Sequence, residues 1–340
     1  AVAFVAMSAF AAKAPLPKVR LLADPMKSAT YSFAGGETGN PQPSKGTTES
    51  VTLGTAQASV SPGVVVGDTW YEYQRNGSMR RMVAYGGPGR HGGNTGFNPI
   101  VHFHWMYMAQ EADFGVKRNY RYTFYDAGSG QFRGGGPTNV NASDDYGGYV
   151  SGDITEENSY VAGGHNNNGS APGNAVQIYY DFGELWSTFD VSARMPTAVQ
   201  QAGGTATQYT IWPAVAYQES GATPITHVFA QSTEPNAAGG DPGYMYYFRK
   251  VGIKDGGTWD NPPYIVDTSY VLSQDIAASR TTGKVAIGWI ANLPEGDPPY
   301  ACDTCSDNDG KNFVQWDNDL YLQISTDYGV TWQPRMNITQ

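Results

Sequence analysis

Arginine side chains are the groups in this sequence best suited to holding an acidic ligand. A guanidinium offers paired, charge-assisted hydrogen bonds, so several arginines turned toward one pocket would bind a carboxylate strongly. An arginine in a strand is equally consistent with a surface position or with a contact between sheets, and the sequence leaves these interpretations open. The pocket candidates lie in or beside aromatic, strand-like runs: Arg81, Arg121, Arg249 and Arg280.

An acidic loop at 303–312 has the composition of a cation site. Oxygen-bearing side chains recur there at alternate positions before Gly310, which resembles the start of a calcium-binding loop. The loop lacks the bidentate glutamate of an EF-hand, and a solvated acidic turn is the competing interpretation. Calcium is the only cofactor that the sequence suggests, and its candidate ligands are Asp303, Asp307 and Asp309.

Two histidines, His102 and His104, alternate within a strand-like run and therefore share one face. Paired imidazoles could seat a metal ion, but no third ligand is apparent, so hydrogen-bonded histidines are the favoured interpretation. The two cysteines, Cys302 and Cys305, stand in a loop rich in Asp, Gly and Pro. That setting favours a disulfide or free thiols over zinc binding or redox chemistry.

The composition indicates an all-β chain. Of its 340 residues, 42 are Gly and 23 are Tyr while only 15% are charged, a balance that favours turns and aromatic-rich strands over long amphipathic helices. From Gly63 onward, short apolar or aromatic runs alternate with turn clusters. The net charge of −10 and the lack of a basic stripe argue against nucleic acid or an anionic membrane as a partner.

Four segments of similar pattern follow one another along the chain. In each, the last long strand runs into a turn that contains Asp and Gly, at intervals that suit four-stranded sheets with inserted loops. Radial repetition of such sheets around an axis is a β-propeller, which is the predicted architecture. The turn aspartates are Asp126, Asp181, Asp255 and Asp327.

The turn at Asp327 shows why these residues recur. Gly329 can take the positive φ that reverses the chain, and the Asp327 carboxylate can accept hydrogen bonds from turn amides. Thr331 resumes the strand, and Trp332 is expected to fold beneath the turn as an apolar plug. The complete motif is Ser325, Asp327, Gly329, Thr331 and Trp332, and a second copy reads Asp181, Gly183 and Trp186.

This S-x-D-x-G-x-T-W pattern resembles the Asp-box, or BNR repeat, of the sialidase-like β-propeller superfamily. The resemblance runs from Gly67 to the end of the chain and implies a propeller with four or more visible blades, and six when complete. The opening Gly67–Tyr71, followed by Asn76–Ser78 and Arg80–Arg81, also resembles secreted propellers of Bacteroidetes-like bacteria, many of which use type IX secretion.

The resemblance raises the question of sialidase activity. Such an enzyme needs three arginines on the substrate carboxylate, a tyrosine nucleophile activated by a glutamate, and an acid/base aspartate. Family members often place the first arginine in an F/Y-R-I/L-P motif, and the nearest sequence here, Val19–Leu22, lacks the aromatic residue and the proline. We therefore predict a non-catalytic glycan- or protein-binding or structural module, with an exo-acting glycoside hydrolase of the sialidase type as the alternative.

The N-terminal region divides into two predicted parts. Residues 1–12 are a short apolar run ending in a small-x-small pattern, as in a secretory signal peptide, although an apolar first strand is the alternative. The run is too short to span a membrane. A polar lead-in follows at 13–62, and the propeller is assigned to 63–340, with truncation expected at the C-terminus. We expect a secreted or cell-surface protein whose partner is an extracellular glycan or protein.

Overall fold

The regular structure of this chain is almost entirely antiparallel β-sheet. The helical element that the structure describes is a short 3-10 helix at Glu111–Asp113, and no described helix has the length and apolar character needed to cross a bilayer. All described residues belong to one unit, Gly35–Gln340. The computed structural model describes residues 65–71, 74, 80–87, 99–141, 146–167, 175–181, 187–194, 199–200, 207–233, 245–252, 257–260, 263–267, 271–292 and 318–339.

The first eight strands form two sheets, each of four strands that pair antiparallel in chain order. Sheet 1 consists of β1 (Val83–Gly86), β2 (Ile100–Tyr107), β3 (Asn119–Asp126) and β4 (Gln131–Asn139). Sheet 2 consists of β5 (Tyr146–Ile154), β6 (Tyr160–Asn167), β7 (Ala175–Asp181) and β8 (Phe189–Arg194).

The remaining strands form two further sheets. In sheet 3 the order is β13-β12-β11-β10-β9 and β14 also pairs with β12, whereas sheet 4 again follows chain order. Sheet 3 contains β9 (Val199–Gln200), β10 (Thr207–Gln218), β11 (Ile225–Thr233), β12 (Met245–Val251), β13 (Thr258–Trp259) and β14 (Tyr264–Asp267). Sheet 4 contains β15 (Val271–Ala278), β16 (Val285–Asn292), β17 (Asn318–Ser325) and β18 (Met336–Asn337).

The first long strand of each sheet lies toward a common centre. Strand β10 packs against both β5 and β15, and β5 also packs against β1. Consecutive antiparallel meanders of four or more strands whose inner strands pack together in this way are the blades of a β-propeller. The predicted fold class is therefore confirmed, with four blades described, and the total of six blades remains a prediction.

Three hydrophobic clusters hold neighbouring sheets together, and each cluster draws its residues from consecutive sheets. Between sheets 1 and 2, Tyr122 stacks on Tyr160 with ring centroids 4.7 Å apart. Between sheets 3 and 4, Phe229 packs edge-on against Trp289. Burial of a large side chain in such a cluster stabilises the fold by about 1.5–3 kcal/mol. Sheets 2 and 3 meet through Val161, Val176, Ile178 and Tyr180 on one side and Val215, Val228, Tyr246 and Phe248 on the other.

Candidate functional site

The inner strands β5 and β10 carry matching irregularities, in the first half of β5 and in the middle of β10. Pairing slips between Gly148 and Ser151 in β5, and between Ile211 and Ala214 in β10. The residues within these bulges, Tyr149 and Trp212, have φ values of 49° and 53°. Bulky residues avoid this left-handed region, at a cost of roughly 1–3 kcal/mol each. Such strain concentrates at functional sites, which marks this end of the axis for attention.

Side chains from three sheets meet around Trp212. Its indole packs edge-on against the Tyr149 ring, with centroids 6.0 Å apart, so that sheets 2 and 3 are in contact here. Its carbonyl accepts a hydrogen bond of 2.6 Å from Gln274 Nε2 on β15. The Gln274 amide oxygen in turn accepts one of 2.8 Å from Arg80, which stands just before β1. The chain of contacts therefore links all four sheets.

Arg118 lies beside this chain of contacts, on the loop between β2 and β3. It is buried, and its guanidinium carbon lies 5.0, 4.5 and 5.4 Å from the ring centroids of Tyr71, Tyr146 and Tyr149. It donates to the Tyr71 hydroxyl at 3.1 Å and to the Gly147 carbonyl. A cation enclosed by aromatic rings is held firmly. We call the group Arg80, Arg118, Tyr149, Trp212 and Gln274 the axis mouth.

Two hydrogen-bond donors of the axis mouth have no partner among the described residues. The Nε atom of Arg80 and the Nε1 atom of Trp212 are both buried and unpaired. Each unsatisfied buried donor costs roughly 1–3 kcal/mol, so a ligand that supplied acceptors would recover that free energy. Burial also lowers the pKa of Arg80 to about 10, although nearby Asp275 opposes the shift. Arg80 remains a cation at neutral pH.

The four arginines predicted as pocket candidates lie apart. Arg81 precedes β1 and pairs with Asp275 at 3.5 Å, beside the axis mouth. The other three pair with different carboxylates: Arg121 with Asp68 at 3.9 Å, Arg249 with Asp260 at 2.7 Å and Arg280 with Asp153 at 2.6 Å. Because Arg121 and Arg249 are on the third strands β3 and β12, away from the axis, the four do not form one cluster.

The turn after β17 is built by the residues that the motif singled out. Asp327 accepts hydrogen bonds from the Thr331 amide at 2.9 Å and the Thr331 hydroxyl at 2.6 Å, and these bonds lower its pKa to about 2. Ser325 Oγ accepts a bond of 2.9 Å from the Gly329 amide, and Gly329 has a φ of 80°. The Trp332 ring packs edge-on against Tyr247 and parallel to Tyr264.

Two further aspartates occupy the same place in their sheets, at the turn from the third strand to the fourth. Asp126 accepts from the amides of Gly128 and Ser129, and Asp181 accepts from the amides of Ser187 and Thr188. In a meander, the first and third strands run in the same direction. The aspartate turns therefore lie at the end opposite the axis mouth, where they fasten the sheets. Gly183, Trp186 and Asp255 lie outside the described residues.

A tyrosine–glutamate pair lies at the turn end. Burial and the negative charge of hydrogen-bonded Glu219 raise the pKa of Tyr217. Burial likewise raises the pKa of Glu219, against the effect of a backbone hydrogen bond from Glu156. A tyrosine nucleophile needs a more readily ionised hydroxyl, so this environment disfavours that role.

The two histidines of β2 are buried between sheets 1 and 2. His102 Nδ1 lies 2.8 Å from the Tyr122 hydroxyl, and His104 Nδ1 bonds the Tyr160 hydroxyl. Desolvation lowers the pKa of His104 to about 3, so the ring is neutral. No group of three or more metal-ligating side chains occurs among the described residues. The calcium candidates Asp303, Asp307 and Asp309, with Cys302 and Cys305, lie outside that part of the chain.

None of the five residues of the axis mouth was a candidate in the sequence analysis. A signal was nevertheless present at Pro213, which directly follows Trp212 within an apolar run. Proline cannot donate to a sheet ladder, so inside a strand it indicates a bulge or an edge. The glycines Gly147 and Gly148 before Tyr149 carry a similar signal. Arg118 had no such signal, because its burial depends on three tyrosines that are distant in the sequence.

Fold and site together define a β-propeller with a cationic, aromatic site at one end of its axis. No protein family matches the sequence, and no curated protein matches it. Among solved structures, the chain is similar to a Hadza microbial sialidase at 11% identity and a TM-score of 0.42, covering 71% of this chain. It is also similar to an α-L-arabinofuranosidase of Fusarium graminearum at 8% identity and a TM-score of 0.42, covering 76% of this chain.

A third similar structure is an endo-arabinase from Bacteroides thetaiotaomicron, at 12% identity and a TM-score of 0.37, with 71% of this chain and 77% of that one covered. The chain spans 42% of the sialidase and 66% of the arabinofuranosidase. It thus matches less than two thirds of the length of either.

Proposed function

We propose that this chain is a secreted or cell-surface β-propeller that binds a glycan at the axis mouth and does not hydrolyse it. The observation that supports this most directly is the pair of unsatisfied donors, Arg80 Nε and Trp212 Nε1, beside strained inner-strand bulges. Sugars present many hydroxyl or carboxylate acceptors on a rigid ring, and aromatic side chains stack on the apolar faces of that ring.

The rim at the same end of the molecule offers such a stacking surface. Trp70 is 61% exposed, and its backbone amide donates to the Met108 carbonyl at 3.0 Å, just beyond the end of β2. Its neighbour Tyr71 points inward and bonds both Tyr149 and Arg118. A fixed, exposed indole next to the axis mouth suits contact with a sugar that extends out of it.

The charged groups at the axis mouth favour binding over hydrolysis. Glycoside hydrolysis ordinarily uses two carboxyl groups about 5–10 Å apart, on either side of the scissile bond. Among the described residues, the carboxylate in contact with the arginines of this end is Asp275, which pairs with Arg81. The Tyr217–Glu219 pair lies at the turn end and has raised pKa values.

A matched pair of tryptophan variants tests the proposal. Trp212→Phe removes the unpaired donor while keeping an aromatic ring, and Trp332→Phe removes an equally unpaired Nε1 atom at the turn end. A glycan array identifies the ligand, and calorimetry then measures its affinity for each protein. We expect Trp212→Phe to weaken binding about tenfold and Trp332→Phe to leave it unchanged. The absence of any glycan ligand, or equal effects of both variants, would contradict the proposal.

A sialidase-type hydrolase is the second candidate, because Arg80 and Arg118 of the axis mouth, with Arg81 beside it, place three cations at this end. Release of the aryl group from aryl-sialosides or aryl-arabinofuranosides would support it. Tyr217→Phe then distinguishes chemistry at the axis mouth from chemistry at the turn end, since loss of that activity would assign the chemistry to the turn end. We expect no release of the aryl group by the unaltered protein.

A further inference from the structure

Gln231 of β11 is a fully buried glutamine whose side-chain amide has no hydrogen-bond partner within the part of the chain that the structure describes. Its exposed fraction is 0%, and neither Oε1 nor Nε2 is paired there. Gln218 of β10 differs, because its Nε2 donates to three carbonyls of the turn between β15 and β16 and its Oε1 lies 3.0 Å from His227 Nε2. An unsatisfied buried amide destabilises a fold. Gln231 therefore keeps an unused acceptor and two unused N–H donors at a cost in stability.

Strand pairing places Gln231 beside the axis mouth. Its ladder partner in β10 is Ile211, which directly precedes Trp212. Alternate residues of a strand share one face, and Phe229, two positions before Gln231, packs on Trp289 of sheet 4. The Gln231 side chain therefore faces sheet 4, one strand away from the axis and at the level of the bulge that contains Trp212.

The immediate neighbours of Gln231 within sheet 3 are apolar. Its partner across the ladder to β10 is Ile211, and its partner across the ladder to β12 is Met245. Directly opposite residues of antiparallel strands lie side by side, and both of these are buried. Neither side chain can satisfy the amide. Because a charged group loses its hydration in such surroundings, they favour an uncharged ligand group beside Gln231.

The chemistry of a glutamine amide restricts what the ligand group can be. Oε1 must receive a hydrogen bond while Nε2 donates one, so the ligand has to offer both a donor and an acceptor. A carboxylate carries no hydrogen and would leave Gln231 Oε1 unpaired. Two hydroxyls on adjacent ring carbons fit the amide, because one can donate to Oε1 while the other accepts from Nε2.

The unpaired donors of the axis mouth are also better matched to hydroxyls than to a carboxylate. The two terminal nitrogens of Arg80 already donate to neutral groups, to Ser273 Oγ at 3.2 Å and to Gln274 Oε1 at 2.8 Å. A paired grip on a carboxylate uses two N–H groups of one guanidinium, whereas the unpaired nitrogen of Arg80 is Nε alone. Arg80 Nε and Trp212 Nε1 are thus two separate single donors, which suit separate hydroxyl or ring oxygens.

We infer that Gln231 is a specificity-determining residue that binds two adjacent hydroxyls, and that the sugar unit held at the axis mouth is neutral. The inference rests on the proposed glycan binding and specifies the class of sugar. An acidic sugar would leave the Gln231 oxygen unsatisfied and would bring its charge into an apolar part of the sheet.

A matched pair of glutamine variants tests the role of Gln231 without any ligand. Gln231→Met keeps the length of the side chain and removes two unpaired polar atoms, so we expect it to raise the midpoint of thermal unfolding by about 2–4 °C. Gln218→Met makes the same change where the amide is fully bonded, at the turn end, and should lower the midpoint. Circular dichroism measures both midpoints.

Glycan binding tests the class of sugar. The array carries neutral oligosaccharides of galactose, mannose and arabinose together with oligouronates and sialosides, and we expect the neutral ones to bind. Calorimetry then compares the bound oligosaccharide with its monodeoxy analogues. Loss of either of two adjacent hydroxyls should weaken binding to the unaltered protein about tenfold, whereas Gln231→Met should bind the parent sugar about tenfold more weakly and no longer distinguish these analogues. Gln218→Met should bind like the unaltered protein.

The outcomes separate this inference from the proposed function. Binding of acidic glycans alone would overturn the inference while leaving glycan binding intact, and so would a Gln231→Met protein that binds as tightly as the unaltered one. A midpoint lowered as much by Gln231→Met as by Gln218→Met would show that the amide is already paired within the chain, which also overturns the inference. If no glycan binds, the proposed function fails and this inference fails with it.

Discussion

Arg280 donates to Asp153 with an Nη2–Oδ1 distance of 2.6 Å, and this contact joins the turn after β15 to the inner strand of sheet 2. The same guanidinium donates to the Ile154 carbonyl at 2.7 Å. The other Asp153 oxygen accepts the Tyr217 amide of β10 at 2.8 Å. One ion pair therefore ties sheets 2, 3 and 4 together at the turn end of the axis.

Removing this carboxylate should destabilise the fold more than removing an exposed one. We expect Asp153→Ala to lower the free energy of unfolding by about 3 kcal/mol, since it leaves the Tyr217 amide without its acceptor and the Arg280 cation without its carboxylate partner. The control is Asp275→Ala, whose side chain is 60% exposed and should contribute less than about 1 kcal/mol. Urea denaturation measures both, and equal losses would contradict the structural role of Asp153.

Substitution of two glycines that both have a positive φ distinguishes the cost of backbone strain from the cost of a steric collision. Gly329 has a φ of 80°, and a Cβ atom there would collide with the Tyr247 hydroxyl, whereas Gly115 has a φ of 75° and open space around it. Gly115→Ala should cost about 1 kcal/mol from strain alone. Gly329→Ala should cost more, because the turn must move away from Tyr247. Denaturation midpoints compare the stabilities of the two variants. Equal losses of stability would show that the turn can move away from Tyr247 at little cost in free energy.

The buried arginine at the axis mouth should not tolerate lysine. Arg118→Lys loses the planar contact with three tyrosines and the bond to Gly147, so we expect a loss of about 2 kcal/mol in stability and weaker glycan binding. Arg121→Lys is the control, because that guanidinium lies over the single ring of Tyr107. Denaturation and calorimetry test both, and a tolerated lysine at 118 would contradict the role assigned to Arg118.

The blades could be predicted from the sequence because their signals are local. Alternation in runs such as Ile100–Tyr107 and the Asp and Gly of each turn depend on neighbouring residues, and four of these segments became four sheets. The axis mouth depends on contacts such as Arg80 to Gln274, which are 194 positions apart. Composition and spacing carry no information about such a pair. The same limit applies to Arg121 and Arg249, whose strands were visible but whose distance from the axis was not.

The buried histidines His104 and His227 lead to a prediction about the stability of the fold in acid. Desolvation holds the pKa of His104 and of His227 at about 3, and the positive charge of Arg249 adds to the effect at His227. In the unfolded chain both rings titrate near 6.5, so below that pH the unfolded state binds more protons than the folded state. The stability that these neutral rings allow is therefore fully present above about pH 6.5 and is lost as the pH falls toward 3.

The slope of that loss can be measured directly. Each histidine should contribute up to about 1.4 kcal/mol per pH unit to the fall in unfolding free energy below pH 6.5. Asp327 does not interfere, because its lowered pKa of about 2 affects stability only below its unfolded value of 3.8. His227 bonds Tyr247 and Gln218, and His227→Gln should make the slope shallower while lowering stability at neutral pH. Urea denaturation between about pH 7 and pH 5 tests this prediction. An unfolding free energy that does not change over this range would mean that the folded and unfolded states bind the same number of protons, so that the imidazoles become protonated in the folded protein as well.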